Sequence, residues 1–170
     1  VRHFVVLSIV GVDQVPELDY YRAKALQEEI LAAGPIPYSI VRPSSVRPVR
    51  ATQVMEFVDA ILSWTSDGDT VQLPATPIQP IAAQDVADAV SGVAAGPPLQ
   101  GIHNIAGPEV FPLDELGGIT LTARSESRSV ITDDTAGMFA AVRGDVLTGK
   151  ADASIAPTRY ADWLASHEGS

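Results

Sequence analysis

FVVLSIVGVDQVPELDYYRAKALQEEILAAGPIPYSIVRP, Phe4–Pro43, carries the topology of the chain. Phe4–Val10 is almost continuously apolar and β-branched, the pattern of a strand covered on both faces in a parallel sheet. A loop follows over Gly11–Leu18. Asp19 then stands where it can cap a helix, and Leu26, Ile30 and Ala33 fall at i, i+4 and i+7, the spacing of a core-facing stripe. Gly34 and Pro35 stop that helix. Tyr38–Arg42 reads as a second strand, so the stretch is a βαβ unit with a right-handed crossover.

Beyond this stretch the pattern stays α/β. A helix is predicted over 52–64, with Val54, Phe57, Val58, Ile61 and Leu62 on one stripe. Short extended pieces follow at 70–73 and 79–82, where Pro74, Pro77 and Pro80 mark edges and turns. Asp85–Ala95 reads as a helix with Val86, Ala87, Val90 and Val93 inward, and Ile102–Ala106 as a strand. The last third holds a helix over 112–123 weakened by Gly117 and Gly118, a strand over 129–132, a helix over 135–143 and a closing amphipathic helix over 156–167. With no repeat, low-complexity tract or linker, residues 1–170 form a single domain. The fold class is α/β, a parallel sheet with helices on both faces.

Composition removes several classes of function. The 170 residues are 46% hydrophobic and carry 11 Lys plus Arg against 21 Asp plus Glu, a formal net charge of -10. That balance offers no footprint for nucleic acid or an anionic membrane surface. No apolar run approaches the roughly 20 residues of a membrane span, and VRHFVVLSIV lacks the length and cleavage site of a signal peptide. The expectation is a soluble, cytoplasmic protein. Zero cysteines exclude thiolate catalysis and cysteine zinc sites, and His3, His103 and His167 are scattered without a metal-ligand spacing.

The chemistry sits in Ser8, Tyr20 and Lys24. Tyr20 and Lys24 are four apart on one helix, so their side chains are neighbours. A phenol has an ordinary pKa of about 10, and an ammonium a few ångströms away favours the phenolate and lowers it. Ser8 ends the first strand, where ligands bind in open α/β sheets, and its hydroxyl can hold a substrate oxygen. Tyr21 lies about 100° around the helix and reads as packing. Asp85 reads as a cap or backbone anchor, Gly107-Pro108-Glu109 as a turn, Asp133-Asp134 as a helix cap, Arg42-Pro43 as a strand end with a turn, and Tyr160 and Trp163 as packing.

FVVLS, YYRAK and SIVRP in this order, followed by PIAAQDVADAV and GIHNIAGPEVFPLDELG, resemble the second half of a short-chain dehydrogenase/reductase of the atypical, NmrA-like branch. The resemblance runs from Phe4 to about Leu164 and implies a partial Rossmann-like parallel sheet with helices on both faces, plus a small C-terminal α/β segment on the substrate side. It implies Tyr20 as the proton relay, Lys24 as the residue that lowers its pKa and holds the nicotinamide ribose, and Ser8 as the residue orienting the substrate oxygen. Pro43, Ser44 and Ser45 match the loop that passes beside the nicotinamide in relatives. It implies NADP or NAD as cofactor, NADP favoured, and a small-molecule carbonyl, quinone or alcohol-like substrate. The family's N-terminal glycine-rich turn has no counterpart: Gly117-Gly118 comes too late and lacks a third glycine. The expectation is therefore the C-terminal part of a longer NAD(P)-binding protein, inactive by itself. The alternative is a non-catalytic NAD(P)-binding redox sensor. The exposed sheet edge at Phe4–Val10 also offers a surface for self-association.

Overall fold

The computed structural model describes residues 1–44, 57–137, 139 and 142–167. The elements run β1 (Phe4–Leu7), α1 (Asp19–Ala33), β2 (Tyr38–Pro43), α2 (Phe57–Trp64), β3 (Ser66–Asp67), β4 (Thr70–Leu73), β5 (Pro77–Ile78), α3 (Ala83–Ala95), β6 (Gly101–Ala106), β7 (Phe111–Pro112), α4 (Leu113–Ala123), β8 (Ser129–Thr132), β9 (Ser154–Ile155) and α5 (Tyr160–His167). The main sheet has the order β1-β2-β6-β9 and every pair in it is parallel. A second sheet, β3-β4-β8, pairs β4 with β8 in parallel, and β5 pairs antiparallel with β7. This is the α/β architecture with a parallel sheet and flanking helices that the sequence predicts.

Two cores hold it. Val41, Ile81, Val86, Ile105 and Ala156 close the space between the main sheet and α3. The larger core joins Ile9, Val12, Val15 and Tyr21 to Ile61 and Leu62 of α2, Leu113, Leu116 and Leu121 of α4 and Tyr160, Trp163 and Leu164 of α5. Each fully buried side chain of this size contributes about 1.5–3 kcal/mol relative to an exposed one. Tyr160 is the anchor of α5: its ring stacks on Trp163 at 5.9 Å, and its hydroxyl shares a 2.7 Å hydrogen bond with Thr120 Oγ1.

Two glycines are required by geometry. Gly11, which opens the turn after β1, has φ +72°, and a Cβ there would lie 2.5 Å from Val146 O. Gly107, just past β6, leaves only 1.7 Å between a built Cβ and Pro80 O.

Several expectations are corrected. β1 is the outermost strand of its sheet and stops at Leu7, with Phe4 and Leu7 exposed, so it is not covered on both faces. Hydrogen bonds from Ser8 N to Val41 O and Val10 N to Pro43 O nevertheless carry the chain alongside β2. Leu26, Ile30 and Ala33 of α1 face outward, and the buried residues of that helix are Tyr21 and Glu28. Asp19 does not cap α1. It is the first helical residue and pairs with Arg22, while Leu18 occupies the cap position without a side-chain bond. The extended piece foreseen at 79–82 lies at Pro77–Ile78. In α3, Ala87 is exposed and Ala89 packs in its place. The closing helix begins at Tyr160 rather than 156. Thr135–Gly137 form turns, because Asp133 Oδ1 accepts from both the backbone N–H and the hydroxyl of Thr135 and so competes with a helix start. Residues 52–56 of the predicted second helix lie outside the described residues.

Candidate functional site

The candidate residues lie in two places, the loops at the carboxyl end of β1 and β2 and the outer face of α1. Parallel strands all point their carboxyl ends the same way, so the loops after β1, β2 and β6 gather at one rim of the sheet. Ser8 follows β1, Ser44 follows β2 and Gly107 follows β6.

Tyr20 and Lys24 line one open surface groove of about 420 Å³ on the outer face of α1, together with Ala23, Leu26, Gln27 and Ile30 of the same helix. Tyr20 is half-buried, its ring edge-on to Tyr21 with centroids 6.2 Å apart. The Lys24 Nζ donates to Leu7 O at 2.9 Å and to Gln27 Oε1 at 2.9 Å, which ties the second turn of α1 to the last residue of β1. Burial lowers the Lys24 pKa below the ordinary lysine value, and the Glu28 carboxylate one turn on partly opposes that shift.

Ser8 is the residue next to that carbonyl. Its Oγ is buried, has no hydrogen-bond partner among the described residues and does not line the groove. Pro43 is buried at the end of β2, its carbonyl accepting from Val10 N at 3.0 Å. Ser44 is fully buried, its hydroxyl donating to Gln79 O at 2.7 Å and its N–H to Ile105 O at 2.8 Å. Ser45 lies outside the described residues. The structure thus places Tyr20 and Lys24 in one open groove on α1, sets Ser8 beside Lys24's acceptor in the chain, and uses Ser44 to join the end of β2 to Gln79 and to Ile105 of β6.

The remaining polar residues singled out in the sequence are anchors. Asp85 accepts from Thr158 N and Thr158 Oγ1, fastening α3 to the segment before α5. Glu109 accepts from Tyr160 N at 3.1 Å and from Arg159, so it caps α5. Asp134 accepts from Ala75 N. Sequence reasoning missed Glu28 and Arg42. Arg42 Nε donates to Glu28 Oε1 at 2.9 Å and Nη2 pairs with Oε2, with Asp13 3.6 Å from Nη1. Burial disfavours the guanidinium charge, but the hydrogen bonds and charges of Glu28 and Asp13 outweigh it and raise the Arg42 pKa. The available signal was the seven-residue step from Tyr21 to Glu28, which puts both on one helix face.

No protein-family model matches the chain, and no curated protein sequence matches it. Solved structures do. A nucleoside-diphosphate-sugar epimerase from Staphylococcus aureus superposes with a TM-score of 0.60 at 16% identity, over 78% of this chain and 46% of its own. An NADPH-dependent quinone oxidoreductase from Escherichia coli, complexed with NADPH, gives a TM-score of 0.60 at 18% identity, over 99% of this chain and 56% of its own. UDP-glucose 4-epimerase from Thermus thermophilus, in complex with NAD, gives 0.56 at 18% identity, over 78% and 51%. The chain has the Rossmann-like α/β fold of these proteins and spans about half their length.

Proposed function

We propose that this chain is the substrate-side part of an NAD(P)-dependent oxidoreductase of the short-chain dehydrogenase/reductase type, in its NmrA-like branch, acting on a carbonyl, quinone or alcohol-like small molecule. The observation that carries the reading is the placement of Tyr20 and Lys24 in one open groove of α1, with the Lys24 amine tied to the carbonyl at the end of β1. The nicotinamide supplies the hydride chemistry when bound. Tyr20 moves the proton at its hydroxyl, and the adjacent ammonium favours the phenolate it leaves behind.

The residues present suit the nicotinamide end of such a cofactor. An ammonium has three donors and Lys24 directs two of them to Leu7 O and Gln27 Oε1, which leaves one for a ribose hydroxyl. Ser8 holds a buried hydroxyl with no partner among the described residues, a group that gains from a substrate oxygen. The phosphate cradle is a different matter: no glycine-rich strand-turn-helix occurs in these 170 residues. It belongs to a preceding half, and the chain by itself has little activity, because hydride transfer depends on positioning both reactants.

Tyr20→Phe in the full-length protein tests the reading. Turnover is expected to fall by about 100-fold or more while NAD(P)H affinity stays within about twofold. Unchanged turnover rejects the relay. A second reading, a redox sensor that binds NAD(P) without turnover, is favoured by one observation: the Ser8 hydroxyl does not line the groove of Tyr20 and Lys24. NAD(P)H absorbance that stays constant across a panel of carbonyls and quinones, with tight cofactor binding confirmed, selects that reading.

A further inference from the structure

Helix α1 is held to the domain in an unusual way. Of its 15 residues, Tyr21 and Glu28 are the buried ones, while Leu26 and Ile30 are 55% and 65% exposed. Glu28 stands two turns beyond Tyr21 on the inner face, where a packing helix would place an aliphatic side chain. Its carboxylate meets the Arg42 guanidinium in a two-pronged contact, Nε to Oε1 and Nη2 to Oε2, with Arg42 only 14% and Glu28 9% exposed at their side chains. Asp13, from the loop between β1 and α1, approaches the same guanidinium.

Such a pair is poor glue. Removing two charges from water costs several kcal/mol per ion, and apolar residues of similar volume often stabilise as well or better. What the fork supplies is geometry: two parallel N–H···O bonds fix distance and angle together. Lys24 lies one turn and Tyr20 two turns before Glu28 on the same rigid helix, and Lys24 reaches the last carbonyl of β1. We propose that Glu28 and Arg42 are positioning residues: their fork sets the rotation and height of α1 on β2, and so seats the Lys24 amine on the Leu7 carbonyl with Tyr20 beside it. The inference rests on the reading of Tyr20 and Lys24 as the proton-relaying pair.

The chain has two lysines, Lys24 and Lys150, so isotope labelling at lysine gives two ε-amine signals, assigned by Lys24→Met. Glu28 alone opposes the lowering of the Lys24 pKa, so loss of its charge with α1 still in place makes Lys24 titrate lower. Loss of placement does the reverse, because the amine leaves its half-buried seat for water. In the double variant Glu28→Leu/Arg42→Met the expected result is a melting temperature within about 4 °C of the parent and a Lys24 titration raised by roughly half a pH unit or more. A Lys24 titration that falls or stays put in the folded double variant overturns the proposal. Arg42→Lys, which keeps the charge and loses the fork, is the second variant, its added third ε-amine signal told apart from Lys24 by combining it with Lys24→Met: Lys24 again titrates higher, and an unchanged titration overturns the proposal even where the double variant fails to fold. The two readings fail separately. Unchanged turnover in Tyr20→Phe removes the chemistry and leaves the titration result standing, whereas an unmoved Lys24 removes the positioning role and leaves the chemistry.

Discussion

Arg42→Met isolates the buried carboxylate of Glu28. In the parent that group is 7% exposed and its charge is met by the guanidinium, and Asp13, which also loses its partner, is exposed and stays solvated. An orphaned buried charge costs about 3–5 kcal/mol. Arg42→Met therefore loses about 3–5 kcal/mol out of a domain stability on the order of 5–15 kcal/mol. The double variant Glu28→Leu/Arg42→Met has no charge to orphan and stays close to the parent. Urea unfolding of parent, single and double variant at pH 7 reads this directly. A single variant within about 1 kcal/mol of the parent, or a double variant as weak as the single, refutes the burial argument.

Three further outcomes are expected. Gly107→Ala forces a Cβ against the Pro80 carbonyl, backbone against backbone, and lowers stability by about 3 kcal/mol or more in thermal or urea unfolding. Lys24→Met removes an amine whose pKa is lowered by burial and partly restored by Glu28. In the window between its folded pKa and the ordinary 10.5, the unfolded parent binds more protons, so parent stability rises with pH there and the variant lacks that rise; urea midpoints from pH 8 to 11 compare the two. Tyr160→Phe keeps the stacked ring and loses the bond to Thr120, whose hydroxyl still donates to Leu116 O, so it costs about 1 kcal/mol by urea unfolding.

Legibility in the sequence followed the strength of periodic signals. β1, α1 and β2 were readable because a β-branched run, a helix stop at Gly34-Pro35 and a second apolar run punctuate each other, and the Tyr20–Lys24 spacing follows from helix geometry alone. The orientation of α1 was not readable. Leu26 and Ile30 have the spacing of a core stripe, and a glutamate at position 28 looks like a solvated residue until Arg42, distant in sequence and on another element, supplies its counter-charge. The same tertiary preference decides Arg42-Pro43, which in sequence is a strand end with a turn. β9 is two residues long, too short to leave a period, and is recognised only through its pairing with β6. Gly117 looks like a weakness in α4, yet the helix runs through it because the side chain of Leu73 occupies the space a Cβ would take.

The charge at position 28 has a reason that follows from the rest of α1. With leucine there, the helix would carry apolar residues on two faces, Tyr21 and position 28 on one and Leu26 and Ile30 on the other. Hydrophobic contact is non-directional, and either face could then turn toward β2 at similar free energy. Rolling α1 by the angle between those faces would take Lys24 off the Leu7 carbonyl and Tyr20 off the core it packs against. A carboxylate on one face and a guanidinium on β2 remove that ambiguity, because the rolled arrangement would leave Arg42 buried without its bidentate partner. The pair therefore contributes less to whether the domain folds than to which face of one helix meets the sheet, and the contact of Lys24 with the end of β1 depends on that choice.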